Sequence, residues 1–395
     1  MMRLALSIAL LAVASLAQGP LPDLALEPPH VIRSPWPEHY APTRRQGVPG
    51  IECTAGGRLW AIWVKNAESP RSYVVLATSA DAGRTWSAPK LVVQPRRFVR
   101  AASPNLWIDP LGRLWFTWAQ SAGQNDGRWG VWAIVADNPE VADPEWSAPR
   151  RIANGIMLNK PIVLRNGDWL FPIGLWRENS LNFALDRYDI GPYTKEMLQH
   201  DLGEERGSNV YRSRDQGRTF EFLGQVRIPG TRVDEHMLIE RRDGAVWMLV
   251  RTVEGMGQAT SGDGGKTWSI GDAFLTGRHV ANKRFFVRRL QSGALLLVRN
   301  NGPTGARSHL TAFVSDDDGL TWKGGLLVDE RDQVTYPDGV QAADGTIYLI
   351  YDYNRTPDGV IVLAALREED IRASRPVTDT VRLRVEIDRL RPAQP

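Results

Sequence analysis

The chain has 395 residues, of which 43% are hydrophobic and 24% charged, and its formal net charge is +3. These proportions are typical of a globular protein, and the charge is too small to indicate nucleic-acid binding. A single cysteine, Cys53, excludes an internal disulfide, so stability must come from a large packed core.

The chain begins with the features of a secretory signal peptide. Arg3 supplies a positive charge, Leu4–Ala14 is almost wholly apolar, and small residues lead to Ala17. Cleavage is expected after Ala17, which predicts a secreted or periplasmic protein. The apolar run is too short to span a bilayer, so we expect no stable membrane insertion.

A glycine-containing turn followed by a strongly apolar strand occurs six times along the chain. The copies are Gly57–Trp63, Gly112–Trp118, Gly167–Phe171, Gly244–Val250, Gly293–Val298 and Gly345–Ile350. A repeat of about 50 residues made of short strands is typical of a propeller blade with four strands. The pattern therefore predicts an all-β, six-bladed β-propeller with four-stranded antiparallel blades, forming one domain over residues 18–395.

A second repeat, Ser-x-Asp-x-Gly-x-Thr-aromatic, supports the same fold. Its four copies are Ser79–Trp86, Ser213–Phe220, Ser261–Trp268 and Ser315–Trp322. Ser and Asp side chains bond to local backbone N–H groups, and glycine adopts the positive φ that a tight turn needs. The motif thus predicts a structural hairpin turn, anchored by its aromatic residue.

One interval between the glycine turns is longer than the others and predicts an insertion in the third blade, near residues 177–209. Within it, Tyr193–His200 is expected to form one short helix. Long loops on propellers commonly form lids or substrate walls. Near the C-terminus, Val381–Ile387 alternates like an edge strand that helps to close the ring.

Polar residues precede the apolar part of the innermost strand in each predicted blade. Because innermost strands face the central channel, these side chains should converge on one mouth and form a functional site. In chain order they are Arg44, Arg45, Arg100, Asn105, Asn159, Lys160, Asp234, Glu235, His236, Lys283, Arg284, Tyr336 and Asp338.

The four Ser-x-Asp turns resemble the Asp-boxes of the sialidase superfamily. Three further segments resemble the same superfamily. Asp234–Arg251 looks like the segment with the sialidase glutamate and second arginine. Arg307–Val314 is similar to the segment of the third arginine, and Tyr336–Asp352 to that of the nucleophilic tyrosine. The resemblance implies a glycoside hydrolase that releases a terminal, acidic sugar from glycans.

By this resemblance Tyr336 is the nucleophile and Glu235 its activating base, while Arg251 and Arg307 bind a substrate carboxylate. A neutral tyrosine avoids the repulsion that a carboxylate nucleophile would meet beside that group. Position at the mouth adds further candidate substrate-binding residues, namely Asn105, Lys160, His236 and Arg284.

Two departures from the sialidase pattern concern catalytic residues. The first blade begins with Gly47-Val-Pro49 where sialidases have Arg-Ile-Pro, so Arg45 or Arg44 would have to replace the first arginine. Ser103 occupies the place of the general acid, and a hydroxyl cannot protonate a leaving group at neutral pH. Asp338, Asp234 and Glu52 are the candidate replacements, with Asp338 preferred.

Two other functions remain open. A polysaccharide lyase would use Tyr336 and His236 as acid and base on uronates, and a carbohydrate-binding propeller would bind without turnover. The six histidines show no metal-ligand spacing, so no metal or cofactor is expected. A glycan is the expected partner, and the sequence leaves the oligomeric state open.

Overall fold

A computed structural model describes residues 21–33, 44–67, 69–176, 188–231, 233, 235–276, 282–303 and 305–390. The predicted signal peptide lies outside these residues, so the signal peptide and export stay predictions. Among the described residues, none of the helices combines the length and the apolar character needed to cross a membrane.

Six antiparallel sheets follow one another along the chain and confirm the six-bladed β-propeller. Blade 1 contains β1 (His30–Arg33), β2 (Gln46–Cys53), β3 (Leu59–Lys65), β4 (Tyr73–Ser79) and β5 (Leu91–Gln94). Blade 2 contains β6 (Val99–Ile108), β7 (Leu114–Ala122), β8 (Val131–Ala136) and β9 (Arg150–Ala153). Blade 3 contains β10 (Ile162–Val163), β11 (Trp169–Leu175), β12 (Gly207–Ser213) and β13 (Glu221–Val226).

The second half of the chain forms the other three blades. Blade 4 contains β14 (Met237–Glu240), β15 (Val246–Thr252), β16 (Gly255–Ser261), β17 (Ser269–Ile270) and β18 (Leu275–Thr276). Blade 5 contains β19 (Phe286–Arg289), β20 (Leu295–Asn300), β21 (Leu310–Ser315) and β22 (Lys323–Asp329). Blade 6 contains β23 (Val334–Gln341), β24 (Ile347–Tyr353), β25 (Val360–Leu366) and β26 (Arg382–Arg389).

Among the residues that the structure describes, four short helices lie outside the blades. They are α1 (Lys195–Leu198), α2 (Glu368–Ala373) and the 3-10 helices Leu24–Leu26 and Gly203–Glu205. The helix α1 lies within the predicted insertion, where the Thr194 hydroxyl accepts a hydrogen bond from Met197 N. The tail strand β26 is the edge strand of blade 6, pairing with β25 alone.

The hydrophobic core consists of the interfaces between neighbouring blades. One cluster joins blades 1 and 2, another joins blades 2 and 3, and another joins blades 3 and 4. The ring closes by packing rather than by strand exchange, because Ile51 and Leu59 of blade 1 share a cluster with Ile350 and Leu363 of blade 6. This closure holds the starts of the innermost strands around one axis.

The four Asp-box turns have the same geometry. In each, the Ser Oγ donates to the Asp Oδ1 at 2.7–2.9 Å and accepts from the Gly N at 2.7–3.0 Å. The Asp Oδ1 also accepts from the Thr N at 2.8–2.9 Å. These bonds hold the pKa of each Asp carboxyl below its usual range. The Asp carboxylates therefore have a structural role, which is to accept hydrogen bonds within the turns.

Candidate active site

Three innermost strands share an irregularity at the residue before a proline. Val48, Ser103 and Tyr336 have φ angles of 56°, 47° and 55°, and the strand register shifts at each of them. Such a bulge changes the direction of a side chain. All three residues line one cavity of about 180 Å³ at the axis, so the bulges of blades 1, 2 and 6 aim these residues at the same space.

The nucleophile and base predicted from the sequence are in contact at this cavity. The Tyr336 hydroxyl donates to Glu235 Oε1 at 2.9 Å, and Arg251 donates to Glu235 Oε2 at 3.0 Å. The Arg251 Nε also donates to the Asn282 carbonyl at 2.8 Å, which fixes the guanidinium. A carboxylate that accepts the phenol proton while an arginine holds it in place has the geometry of a general base beside its nucleophile.

Burial and charge act on Tyr336 in opposite directions. Burial and the neighbouring Glu235 raise the pKa of the Tyr336 phenol above its usual value, while Arg355, Arg251 and Arg307 act to lower it. The guanidinium of Arg355 lies 4.1 Å from the centre of the Tyr336 ring. Three arginines from blades 4, 5 and 6 thus surround the phenol.

Arg307 is half-buried and lies near Tyr336, Arg251 and Arg355. Burial lowers its pKa, and the nearby charges of Arg355 and Arg251 lower it further. Within the part of the chain that the structure describes, its guanidinium makes no hydrogen bond or ion pair. A half-buried cation without a counter-ion, beside two other arginines, favours an anionic ligand.

Arg355 is the contributor to this site that sequence reasoning missed. It follows β24, and its guanidinium pairs with Asp352 at 2.8–2.9 Å. Asp352 also accepts from Val48 N at 2.8 Å. A Cβ on Gly47 would lie 2.6 Å from Asp352 Oδ2 and 2.8 Å from Arg355 Nε, so only glycine leaves room for this pair.

Two distant segments of the sequence contain the features that would have indicated a role for Arg355. Gly47 stands in the first-blade segment where the resemblance leads us to expect an arginine, and Asp352 precedes Arg355 by three residues in blade 6. Only the packing of blade 6 against blade 1 shows that the glycine and the ion pair belong together. We call Glu235, Arg251, Arg307, Tyr336 and Arg355 the cavity group.

A second set of charges lies beneath the cavity. The Lys160 ammonium donates to Glu52 at 2.9 Å and lies 3.2 Å from Asp338, and it also donates to the carbonyls of Ile51 and Leu106. Asp338 accepts from Ile51 N at 2.9 Å. Burial raises the pKa of Glu52, and the Lys160 charge opposes that shift.

Arg284 extends this buried set towards blade 3. It is 2% exposed, donates to Asn159 Oδ1 and to the Leu158 carbonyl, and lies 3.9 Å from Asp338. We call Glu52, Lys160, Arg284 and Asp338 the floor group. Its members are not among the residues that line the cavity. We predicted substrate contact by Lys160 and Arg284 and acid catalysis by Asp338. Because none of the three lines the cavity, these roles stay predictions.

Of the other predicted residues, Arg100 lines the cavity, whereas Asn105, His236, Arg45 and Arg44 do not. Asn105 is 2% exposed, and His236 is buried with its Nε2 2.8 Å from the Asn209 carbonyl. Arg45 lies just before β2, half-buried, and Arg44 beside it is exposed. Asp234 lies outside the described residues. Substrate contact by Asn105, His236 and Arg45 stays a prediction.

The cavity lining contains one carboxyl within the described ranges, that of Glu235. Ser103 lines the cavity at the place where the sialidase resemblance predicts an acid. Across the same ranges, no group of three His, Cys, Asp or Glu side chains is placed to hold a metal ion. The chemistry available in the cavity is therefore a phenol, its base and an excess of guanidinium groups.

This chain is similar to one sequence family and to several solved structures. The profile described as "BNR repeat-like domain" matches residues 57–349. No curated protein sequence matches. A Hadza microbial sialidase superposes with a TM-score of 0.62 at 18% identity, covering 83% of this chain and 67% of that one.

Two intramolecular trans-sialidases are also similar in fold. The enzyme from leech has a TM-score of 0.64 at 12% identity, covering 88% of this chain and 71% of that one. The enzyme from Ruminococcus gnavus has a TM-score of 0.62 at 12% identity, covering 87% of this chain and 98% of that one. At these identities the likeness shows the fold.

Proposed function

Because this chain belongs to the BNR repeat-like domain family, we propose that it is a sialidase-like exo-glycoside hydrolase that releases a terminal acidic sugar from glycans. The observation that carries the proposal is the contact between Tyr336 and Glu235 at the cavity, with arginines around it. The sialidase fold of its structural neighbours supports the same class of reaction.

The arginines of the cavity group would hold the carboxylate of the substrate. Arg251 is positioned by Glu235 and Asn282, Arg355 by Asp352, and Arg307 keeps its guanidinium uncommitted. Guanidinium groups bind carboxylates through paired, planar hydrogen bonds. In this proposal Arg355 takes the place of the arginine that is missing from the first blade.

In the first step, the Tyr336 oxygen bonds to the anomeric carbon and its proton passes to Glu235. The glycosidic C–O bond breaks, and the leaving oxygen takes a proton from water, which becomes hydroxide. In the second step this hydroxide adds to the anomeric carbon, the bond to Tyr336 breaks, and Glu235 returns the proton to the phenolate. The sum of the two steps is hydrolysis of one glycosidic bond.

The geometry favours this mechanism over a lyase. A lyase would need Tyr336 and His236 to act together, whereas the Tyr336 hydroxyl is bonded to Glu235 and the His236 ring contacts the Asn209 carbonyl. Among the described residues of the lining, none favours proton abstraction from a uronate over attack on an anomeric carbon.

The test is release of sugar by the protein from Gln18 onward, incubated with sialylated and with uronate-bearing glycans. A Tyr336→Phe variant should lose activity by about a thousandfold, because a phenyl ring has no nucleophilic oxygen, and its melting temperature should stay close to that of the parent. Glycan binding without release of sugar by the parent protein would replace the hydrolase with a carbohydrate-binding propeller. An unsaturated product would indicate a lyase.

A further inference from the structure

A larger groove of about 630 Å³ lies beside the cavity. One wall comes from blade 1 and includes Arg71 and Ser72. The connection from β5 to β6 supplies Arg97, and β6 supplies Val99. The insertion of blade 3 supplies Tyr188, Asp189, Gly191 and Pro192. The groove therefore lies where the predicted insertion meets the first two blades.

The groove and the cavity share one wall. Val99 lines the groove, and Arg100, the next residue of β6, lines the cavity. Successive side chains of a strand point to opposite faces, so one strand separates the two spaces. Ser72 ties the wall to blade 1, because its carbonyl accepts from Ala101 N at 2.9 Å and its hydroxyl donates to the Ala101 carbonyl at 3.0 Å.

The insertion is packed onto this wall through Tyr193. Its ring contacts Phe98 edge-on at 5.4 Å, and its hydroxyl donates to the Pro22 carbonyl at 2.8 Å. Tyr193 is buried, so the neighbouring segment that lines the groove is held against the propeller. The groove is therefore formed by packed elements on the side facing the insertion.

Two arginines lining the groove have uncommitted charges. Within the described part of the chain, the guanidinium groups of Arg71 and Arg97 make no ion pair or hydrogen bond; Arg71 lies 4.9 Å from the centre of the Tyr188 ring. The guanidinium of the adjacent Arg96 differs, because it donates hydrogen bonds to Glu27 and His30. Arg96 also does not line the groove. An aromatic ring beside free guanidinium groups suits a sugar that carries an anionic group.

One carboxylate also lines the groove. Asp189 is partly engaged, because its Oδ1 accepts from Gly191 N at 2.8 Å within a tight turn. The two arginines outnumber it, so the groove has an excess of positive charge, as the cavity has. Two adjacent cationic spaces match a glycan in which two neighbouring units are both acidic.

We propose that the groove is a subsite for the leaving-group side of the glycan, and that the unit bound there carries a carboxylate or a sulfate. The inference rests on the proposed function and extends it to a substrate class, namely glycans with acidic units next to each other. Arg71 and Arg97 are its specificity-determining residues, and the Tyr188 ring, over which Arg71 lies, forms part of the same wall.

The test compares substrates that share a terminal sialic acid and differ in the leaving group. Disialyllactose leaves a carboxylated unit, 6-sulfated sialyllactosamine leaves a sulfated unit, and 3'-sialyllactose leaves a neutral one. The parent protein should favour at least one acidic leaving group by about tenfold in kcat/KM, and whichever one it favours identifies the anion. The variant with Arg71→Gln and Arg97→Gln should lose that preference.

Two controls separate this inference from the proposed function. Arg96→Gln removes the same charge from the adjacent position and should keep the preference, and an aryl sialoside without leaving-group sugars should be hydrolysed equally by all variants. Equal kcat/KM for all leaving groups in the parent, or a preference that survives the double substitution, would overturn the subsite.

Should the parent hydrolyse none of these substrates, titration calorimetry with disialyllactose and the sulfated glycan tests the subsite directly. Binding of at least one of them that the double variant weakens about tenfold, and that Arg96→Gln leaves intact, supports the subsite without the hydrolase. Unchanged binding by the double variant, or no binding of either glycan by the parent, overturns it.

Discussion

The cavity group and the floor group are two sets of charged side chains near the propeller axis, and their balances of charge differ. In the floor group, Lys160 lies between Glu52 and Asp338, and Arg284 is bonded to the Asn159 side chain and lies near Asp338. In the cavity group and its partner Asp352, three arginines face two carboxylates, and Arg307 has no ion pair among the described residues.

This difference in charge indicates that the floor group stabilises the propeller and that the cavity group binds an anion. A buried charge is stabilised by ion pairs and hydrogen bonds, and in the floor group every charged side chain has an opposite charge within 3.9 Å. A site that binds an anion must keep positive charge uncompensated until the ligand arrives, which the cavity group does. Both groups combine carboxylates with cationic side chains, so the balance of charge is the feature that tells them apart.

Among the tests of the difference between the two groups, we expect the largest effect from a substitution in the floor group, on the stability of the protein. Lys160→Met would leave Glu52 and Asp338 buried without their central cation and should lower the free energy of unfolding by about 3–5 kcal/mol. Denaturant unfolding of the parent and the variant measures this difference.

The matched control for Lys160 is Arg288→Met, which removes a half-buried cation whose charge acts on both Glu52 and Asp338. It should destabilise the protein less, because Lys160 stays in place. A Lys160→Met protein with unchanged stability and greatly reduced activity would show that Lys160 contacts the substrate, as its position in the sequence first predicted.

The next effect concerns Arg355 in the cavity group. Arg355→Gln should lower kcat/KM for an acidic glycan by about 10–100-fold, because one of three carboxylate-binding guanidinium groups is lost. The free energy of unfolding should change less than for Lys160→Met, since Asp352 keeps its hydrogen bond from Val48.

Arg331→Gln is the control for Arg355. Arg331 also pairs with a nearby aspartate and lies over a tyrosine ring, at 3.8 Å from the centre of Tyr353, but it does not line the cavity. Equal losses of activity in the two variants would argue that Arg355 acts on the stability of blade 6 and has no part in binding.

The smallest expected effect is a gain of activity at Ser103. Ser103→Asp would place a carboxyl on the cavity at a φ of 47°, a conformation that Asp tolerates better than most residues. Hydrolysis of glycans with poor leaving groups should rise by about tenfold, whereas aryl glycosides, whose leaving groups need little protonation, should change little.

The pH dependence identifies the origin of that gain. An acid must be protonated to act, so the advantage of Ser103→Asp should decline as pH rises through the pKa of the new carboxyl. Ser103→Asn has the same shape without the proton and should give no gain. A similar gain with asparagine would show that the residue acts by size alone.

The sequence was sufficient to predict the fold because the fold is repeated. Six glycine turns before apolar strands and four Asp-boxes are local signals. Each blade is a continuous stretch of chain with one such glycine turn, and four of the blades also contain an Asp-box. Their turns depend on neighbouring residues, for example Ser79, Asp81 and Gly83, so no distant contact is needed to recognise them. The alternating tail was likewise sufficient to predict an edge strand.

The candidate site was predictable only in part. Tyr336, Glu235 and Arg251 were expected together and the structure places them in contact, although their roles stay proposals. Tyr336 and Asp338 are two residues apart and should share a face in a regular strand. The bulge at Tyr336 breaks that alternation, so Tyr336 lines the cavity while Asp338 pairs with Lys160 in the floor group.

By itself, then, the sequence determined the number of blades, the turns between strands and the residues that begin each innermost strand. These properties come from local periodicity and backbone preference. Only the tertiary structure decided which of those residues reach the cavity and that Arg355 joins them over Gly47. The physical reason is that bulges reverse the direction of side chains, and the contact between blades 1 and 6 joins segments about 300 residues apart.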